Sequence, residues 1–161
     1  PGRVTLAPGT ALTLNGISQG TIADRVADLL ERHGFLPPVI DTGEMRLMGP
    51  DRRAIELPAA GLRLRLAEAA VATSAPSALT FDPAGRHHHL FDPATGASPR
   101  WWRSVTVIAP TAEAADALST GFAVSPPEMV GDLAAGMTEV AVIATAADGT
   151  TRRFGRRELT G

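Results

Sequence analysis

Hydrophobic and polar positions change period several times along the chain, and each change predicts an element. RVTLAPGTALTLN (residues 3–15) alternates and breaks at Pro8-Gly9, which predicts a hairpin ending near Leu14. GISQGTIADRVADLLERHG (16–34) then shifts to helical spacing, with Ile22, Val26, Leu29 and Leu30 as its apolar positions and Gly34 placed to end it. PPVIDTGEMRLMG (37–49) reads as two short strands around a glycine turn. LRLRLAE (62–68) sets leucines on one face and arginines on the other, as in a half-exposed strand, and AVATSA (70–75) is another short strand. ALTFDPAGRHHHLFDPATG (78–96) reads as two strands around Asp82-Pro83-Ala84-Gly85. SVTVIAP (104–110) is a buried-looking strand leading into a helix over 111–124, with Thr111 as N-cap and Glu113 complementing the helix dipole. Leu118 and Phe122, four apart, are the predicted inward pair there, which leaves Asp116 and Thr120 on a different face, toward a cleft.

Pro126-Pro127 stops that helix, a shorter one follows over 129–135, and TEVAVIATAADGTTRRFG (138–155) closes as a hairpin across Asp148-Gly149. The tail from Arg152 to Gly161 reads as frayed. The order lacks a βαβ rhythm or an internal repeat, so the expected class is α+β, a mixed and largely antiparallel sheet packed with helices. Residues 1–161 are expected to form one domain. The first residue already enters a predicted strand without an initiating methionine, so the chain reads as a piece of something longer.

Composition narrows the chemistry. At 161 residues, 44% hydrophobic and net charge −2, the chain can bury a core and carries no basic excess that would draw nucleic acid. All fifteen basic residues are arginine, which removes lysine nucleophiles, Schiff bases and P-loop lysines. With no cysteine, thiolate catalysis, cysteine–zinc sites and disulfides are excluded. No apolar run approaches the roughly 18 residues a membrane span needs.

Three stretches could carry chemistry. In DALST (116–120), Asp116 and Thr120 lie one helical turn apart, a carboxylate beside a hydroxyl. Such oxygens suit Mg²⁺ or Ca²⁺, or else they are a solvated aspartate and a threonine bonded back to its own helix. NGISQG (15–20) joins a strand to a helix, and its glycines allow close approach to a ligand or simply make the turn. DTGE (41–44) contains the Asp-Thr-Gly of aspartic proteases, but such an enzyme needs two aspartates sharing a proton and no second triplet occurs. GRHHHLFDPATG (85–96) cannot place three histidine rings on one strand face, so it delivers one histidine beside a tight turn.

Singly these stretches identify nothing, but their order does. LNGISQGTIADRVADLL, IDTGEMRLMG, AVATSA, HHLFDPATG and SVTVIAPTAEAADALST together resemble the C-terminal half of the ApbE-type flavin transferases, the FAD:protein FMN transferases. The family pattern runs Gly-Ile-x-Lys-Gly, Asn-x-Gly-Gly-Glu, Ala-Thr-Ser, His-x-x-Asp-Pro-x-Thr-Gly, then Ser-Val-Thr-Val and a helix with Ala-Asp-Ala-x-x-Thr. The resemblance implies an ApbE-like fold lacking its N-terminal half, and an enzyme whose cofactor is Mg²⁺ and whose substrate is FAD. It implies that a threonine hydroxyl of an acceptor protein attacks the FMN-side phosphorus, with AMP leaving. By position it implies His89 and Asp116 as catalytic groups, Gln19 and Leu90 as FAD contacts, and Gly16 (through its carbonyl), Asp116 and Thr120 as metal ligands, with His87 and His88 as bystanders. It further implies a periplasmic or membrane-associated location facing the periplasm.

Departures from the pattern bear on activity. Gln19 stands where the family carries a charged residue, and Pro76 follows Thr73-Ser74-Ala75 where the family continues Gly-x-Tyr-Arg. The N-terminal half that supplies part of the FAD cleft is absent, whether cleaved, carried on a separate chain or lost. FAD pyrophosphatase activity and a non-catalytic flavin-binding homologue are therefore the alternatives.

Overall fold

A computed structural model describes residues 2–159; Pro1, Thr160 and Gly161, with the readings that fall on them, lie outside the described residues. The elements in chain order are α1 (Asn15–Arg32), β1 (Val39–Asp41), β2 (Met45–Leu47), β3 (Arg53–Leu57), β4 (Leu62–Leu66), β5 (Ala70–Ser74), β6 (Trp102–Ala109), α2 (Ala112–Val124), α3 (Pro127–Ala135), β7 (Ala141–Ala146) and β8 (Thr151–Gly155). Six strands form one sheet in the order β1-β2-β5-β6-β7-β8, every neighbouring pair antiparallel. β3 and β4 make a separate hairpin. The α+β class with a largely antiparallel sheet is what the irregular element order predicts.

Strand alternation builds two apolar layers on the two faces of the sheet. Ala70, Ala72, Val105, Val107, Ala109, Val142 and Ala144 point to the helices, where Ala23, Ala27, Ala115, Phe122 and Val130 meet them. Val71, Ile108 and Ile143 point the other way, against Ile55, Leu57, Leu64 and Leu66 of the β3–β4 hairpin. The helix-facing layer is rich in alanine, which brings α2 close to the sheet.

Several expectations need correction. Residues 3–14 form no hairpin strands: they run as irregular chain with a turn at Pro8-Gly9, and Val4, Leu12 and Leu14 are exposed. Alternation alone does not make a strand when no neighbouring strand takes its hydrogen bonds. Residues 78–96 hold only one isolated bridge, Thr80 to His88, because Pro83, Gly85 and Pro93 punctuate the run. β3 has no counterpart in the sequence reading, although Ile55 and Leu57 alternate inward with Ala54 and Glu56 outward over its five residues. Pro127 opens α3 as well as stopping α2, sitting in the first turn where a missing N–H costs nothing. Arg152 and Arg153 belong to β8, so the chain is ordered in a strand where fraying was expected.

The face of α1 also differs from its apolar count. Its buried residues are Gly20, Ala23 and Ala27, while Ile22 is 52% and Leu29 48% exposed. The helix turns its small residues inward because α2 crosses it at close range. Among the described residues, no helix is long and apolar enough to cross a membrane.

Candidate functional site at the crossing of two helices

Two four-residue spacings meet where α1 crosses α2. Gly16 and Gly20 on α1 face Thr120 and Asp116 on α2. A Cβ on Gly16 would lie 2.7 Å from Thr120 Cγ2 and 2.9 Å from its Oγ1; a Cβ on Gly20 would lie 2.2 Å from the Ala112 carbonyl oxygen. Only glycine permits this approach. The Gly20 N–H, which in a regular helix bonds the Gly16 carbonyl, donates to Asp116 Oδ2 at 3.0 Å. Gly16 itself is off helical geometry at φ −87°, ψ 19°.

Asp24 of α1 braces the crossing from the other side. Its two carboxylate oxygens accept the N–H groups of Ala112 (3.0 Å) and Glu113 (2.9 Å), satisfying donors that a helix start leaves free. Thr111 caps the same end through Ala114 N–H, as its sequence position predicts.

The sheet contributes the remaining groups. At the end of β5, Ser74 Oγ lies 2.9 Å from Ser119 Oγ and 3.2 Å from Thr120 Oγ1. The β1–β2 turn brings in Glu44, only 8% exposed, whose Oε2 has no hydrogen-bond partner. Gln19 pins this turn: its Nε2 donates to the Thr42 carbonyl at 3.2 Å, and Thr42 Oγ1 donates back to the Gln19 carbonyl at 3.3 Å. Gly43, at φ +102°, is needed beneath it, because a Cβ there would lie 2.8 Å from Gln19 Nε2.

Burial and the nearby Asp116 charge push the Glu44 carboxyl up to about 8, against a hydrogen bond from the Thr73 backbone that favours the anion. Burial also raises Asp116, opposed by the Gly20 and Gln19 backbone N–H groups. A carboxyl whose folded pKa exceeds its unfolded value of 4.5 stabilises the fold fully below that value and loses the contribution as pH rises toward 8. Metal-free protein should therefore lose stability progressively as pH rises from 4.5 to 8. Glu44→Gln should flatten this slope and leave the variant more stable than the parent at pH 8. Urea titrations across that range check it; an unchanged slope would mean Glu44 is not the responsible group.

Asp116 departs from expectation. It is 4% exposed and lies on the buried stripe of α2 with Ala112, Ser119 and Phe122, whereas Leu118 sits half-buried on the flank. The i, i+4 pairing of Leu118 with Phe122 does not mark the buried face, because small and polar residues fill the crossing. Gln19 is exposed beside the turn, and Leu90 is buried in the helix-side core.

The histidine loop is a separate cluster. His88 is 1% exposed and uses both ring nitrogens: Nε2 bonds the Pro99 carbonyl at 2.8 Å and Nδ1 accepts the Leu90 N–H at 3.3 Å. His89 is half-buried, and its Nδ1 bonds the Leu79 carbonyl at 3.2 Å. Bonding to a carbonyl assigns the proton to Nδ1 and leaves Nε2 as the lone-pair nitrogen, without a protein partner among the described residues. Asp92 holds the following turn through Ala94 N–H and Thr95 Oγ1. Cavities of about 320 and 340 Å³ flank this loop, the larger one reaching Ser77, Thr80 and Arg103.

The structure thus brings Gly16, Asp116 and Thr120 together and keeps His89 and Leu90 on the neighbouring loop. Sequence reasoning missed Gly20 as a contact, Glu44, Ser74, Ser119 and the bracing Asp24. The available signal for Glu44 was a lone carboxylate directly after a turn glycine and before an apolar strand. No group of three His, Cys, Asp or Glu side chains gathers here among the described residues. Two carboxylates, hydroxyls and a backbone carbonyl make an oxygen-only donor set that fits Mg²⁺, which keeps several of its own waters, rather than zinc.

The fold has counterparts. The sequence profile of the ApbE family matches residues 3–144, and the chain belongs to that family. It is similar in structure to the ApbE protein of Thermotoga maritima (TM-score 0.77, 29% identity, 91% of this chain and 52% of that one). It is similar to the apo flavinyl transferase ApbE of Pseudomonas stutzeri (0.74, 26%, 89% and 47%). The flavin transferase ApbE of Vibrio cholerae also matches (0.64, 28%, 86% and 48%). The chain spans about half the length of each of these proteins. No curated protein sequence matches it significantly. Two of these neighbours are flavin transferases; neither the fold nor these relatives point to a separate chain as the source of the other half.

Proposed function

We propose that the chain acts in Mg²⁺-dependent transfer of FMN from FAD to a threonine hydroxyl of an acceptor protein, with AMP as the leaving group, in a compartment facing the periplasm. The observation that carries this reading is the meeting of Gly16 with Thr120 and of Gly20 with Asp116 at one helix crossing. Gly16 through its carbonyl, Asp116 and Thr120 would hold the cation. When bound, Mg²⁺ supplies charge neutralisation at the pyrophosphate.

The chain's own groups do the rest. Gly16 and Gly20 let the two helices approach, and Asp24 fixes the start of α2, so the Asp116 carboxylate is held in place before substrate arrives. His89 Nε2 can accept the threonine hydroxyl proton while the new P–O bond forms and the bond to AMP breaks. Gln19 and Leu90 are the proposed FAD contacts, Gln19 from the exposed rim and Leu90 by packing under the loop. Incubation with FAD, Mg²⁺ and a threonine-bearing acceptor peptide, read by intact mass, tests the reading. A peptide adduct of FMN mass with release of AMP is expected. FMN and AMP without adduct would mean pyrophosphatase activity, and no turnover with retained flavin would mean a binding protein.

A further inference from the structure

Glu44 has no role in the site as the family pattern assigns it, yet its environment demands one. Only 8% of it is exposed, one carboxylate oxygen has no partner, and the charges that act on it, Asp116 and then Asp41, are both carboxylates. Leaving a buried acceptor unmade costs about 1–3 kcal/mol, more for a charged group, so such an arrangement persists when something outside the chain satisfies it. Arg46, two residues on in β2, is turned to Asp24 and to the Pro110 carbonyl.

The turn around Glu44 is built to hold it. Gly43 takes a backbone conformation that other residues rarely adopt, Gln19 clasps Thr42 in both directions, and the Thr73 backbone donates to the Glu44 carboxylate. Thr73 is followed by Ser74, whose hydroxyl touches Ser119 and Thr120. Three chain segments therefore bring two carboxylates and three hydroxyls into one region, and among the described residues no ion pair reaches either carboxylate.

We propose that Glu44 is a further oxygen donor to the divalent cation held by Asp116 and Thr120, engaging the ion directly or through one of its waters. The inference rests on the cation reading given above and adds a residue to it. It explains why an unpartnered carboxylate is buried opposite another one: the cation supplies the compensating charge for both.

Calorimetric titration of MgCl₂ into the chain tests this without any turnover. The parent should bind Mg²⁺, and Glu44→Gln, which keeps shape and removes charge, should weaken binding by about 10–100-fold, the range for groups that support metal ligands. Asp116→Asn should weaken it at least as much. Glu56→Gln, an exposed carboxylate paired with Arg63 on the β3–β4 hairpin, should leave it unchanged. Glu44→Asp retains the charge and withdraws the oxygen by one methylene, and should give an intermediate loss. If the parent binds and Glu44→Gln binds equally well, the inference falls and the cation site stands. If the parent binds no Mg²⁺ at millimolar concentration, both fall together.

Discussion

Gly20→Ala should lower the melting temperature by roughly 6–12 °C, the equivalent of about 3 kcal/mol for a chain of this size. The added Cβ would stand 2.2 Å from the Ala112 carbonyl oxygen, 2.6 Å from its carbon and 2.8 Å from Asp116 Cβ. Two of those atoms are backbone at the first residue of α2, so no side-chain rotation relieves the overlap and the helices must separate. Separation stretches the 3.0 Å bond from Gly20 N–H to Asp116 and loosens the Asp24 brace on the same helix end. Mg²⁺ affinity should fall with stability, since the crossing positions the carboxylate. Gly121→Ala on α2 is the control: nothing lies within 4 Å of its Cβ, and it should raise stability by about 0.5–1 kcal/mol through helix propensity. Thermal melts followed by circular dichroism read both variants; a Gly20→Ala melt equal to the parent's would mean that the helix crossing is not close-packed in solution.

What the sequence reveals divides along a physical line. Elements whose signal is local are readable: α1 ends near Gly34, Thr111 caps α2, and the β7–β8 hairpin turns at Asp148-Gly149. These depend on spacing, caps and turn chemistry within one stretch. Features that depend on a partner far along the chain are not readable. Residues 3–14 alternate as well as a strand does, but no strand among the described residues pairs with them. The inward face of α1 is set by Gly20, Ala23 and Ala27, because the neighbour is a helix at close range and not a sheet that could take Ile22. Asp116 reads as a cleft residue from its polarity; its burial follows from a bond to a backbone N–H 96 positions away. Glu44 has no periodic signature at all, since its burial is created by α1, β5 and α2 converging on a four-residue turn. The spaced motifs do indicate the family, because their order survives even where each motif is ambiguous.

His89→Ala should lower flavin transfer by about 10²-fold or more, the range for a general acid–base group, while changing the melting temperature little. The ring is half-buried, with one hydrogen bond from Nδ1 to the Leu79 carbonyl and an edge contact to the His88 ring, so its removal costs one exposed hydrogen bond and that contact. Nε2 is the nitrogen left to take a proton. His88 lies next to it and is built for the opposite purpose. It is fully enclosed, with Nε2 on the Pro99 carbonyl and Nδ1 on Leu90 N–H, while its backbone exchanges two further bonds with Ser98 Oγ. Neither ring nitrogen can exchange a proton without breaking a bond that closes the loop. Any loss of activity in His88→Ala should therefore track a loss of fold, about 3 kcal/mol from the cavity and the orphaned carbonyl. That corrects the expectation that His88 is as dispensable as His87, whose exposed side chain should tolerate alanine. Transfer is measured with FAD, Mg²⁺ and an acceptor peptide in a chain carrying both halves of the family fold, beside a melt of each variant. Added imidazole should restore part of the His89→Ala rate and none of the His88→Ala rate. Equal losses in rate and in melting temperature for both variants would show that the loop histidines share one structural role, and the proton-accepting assignment of His89 would fail.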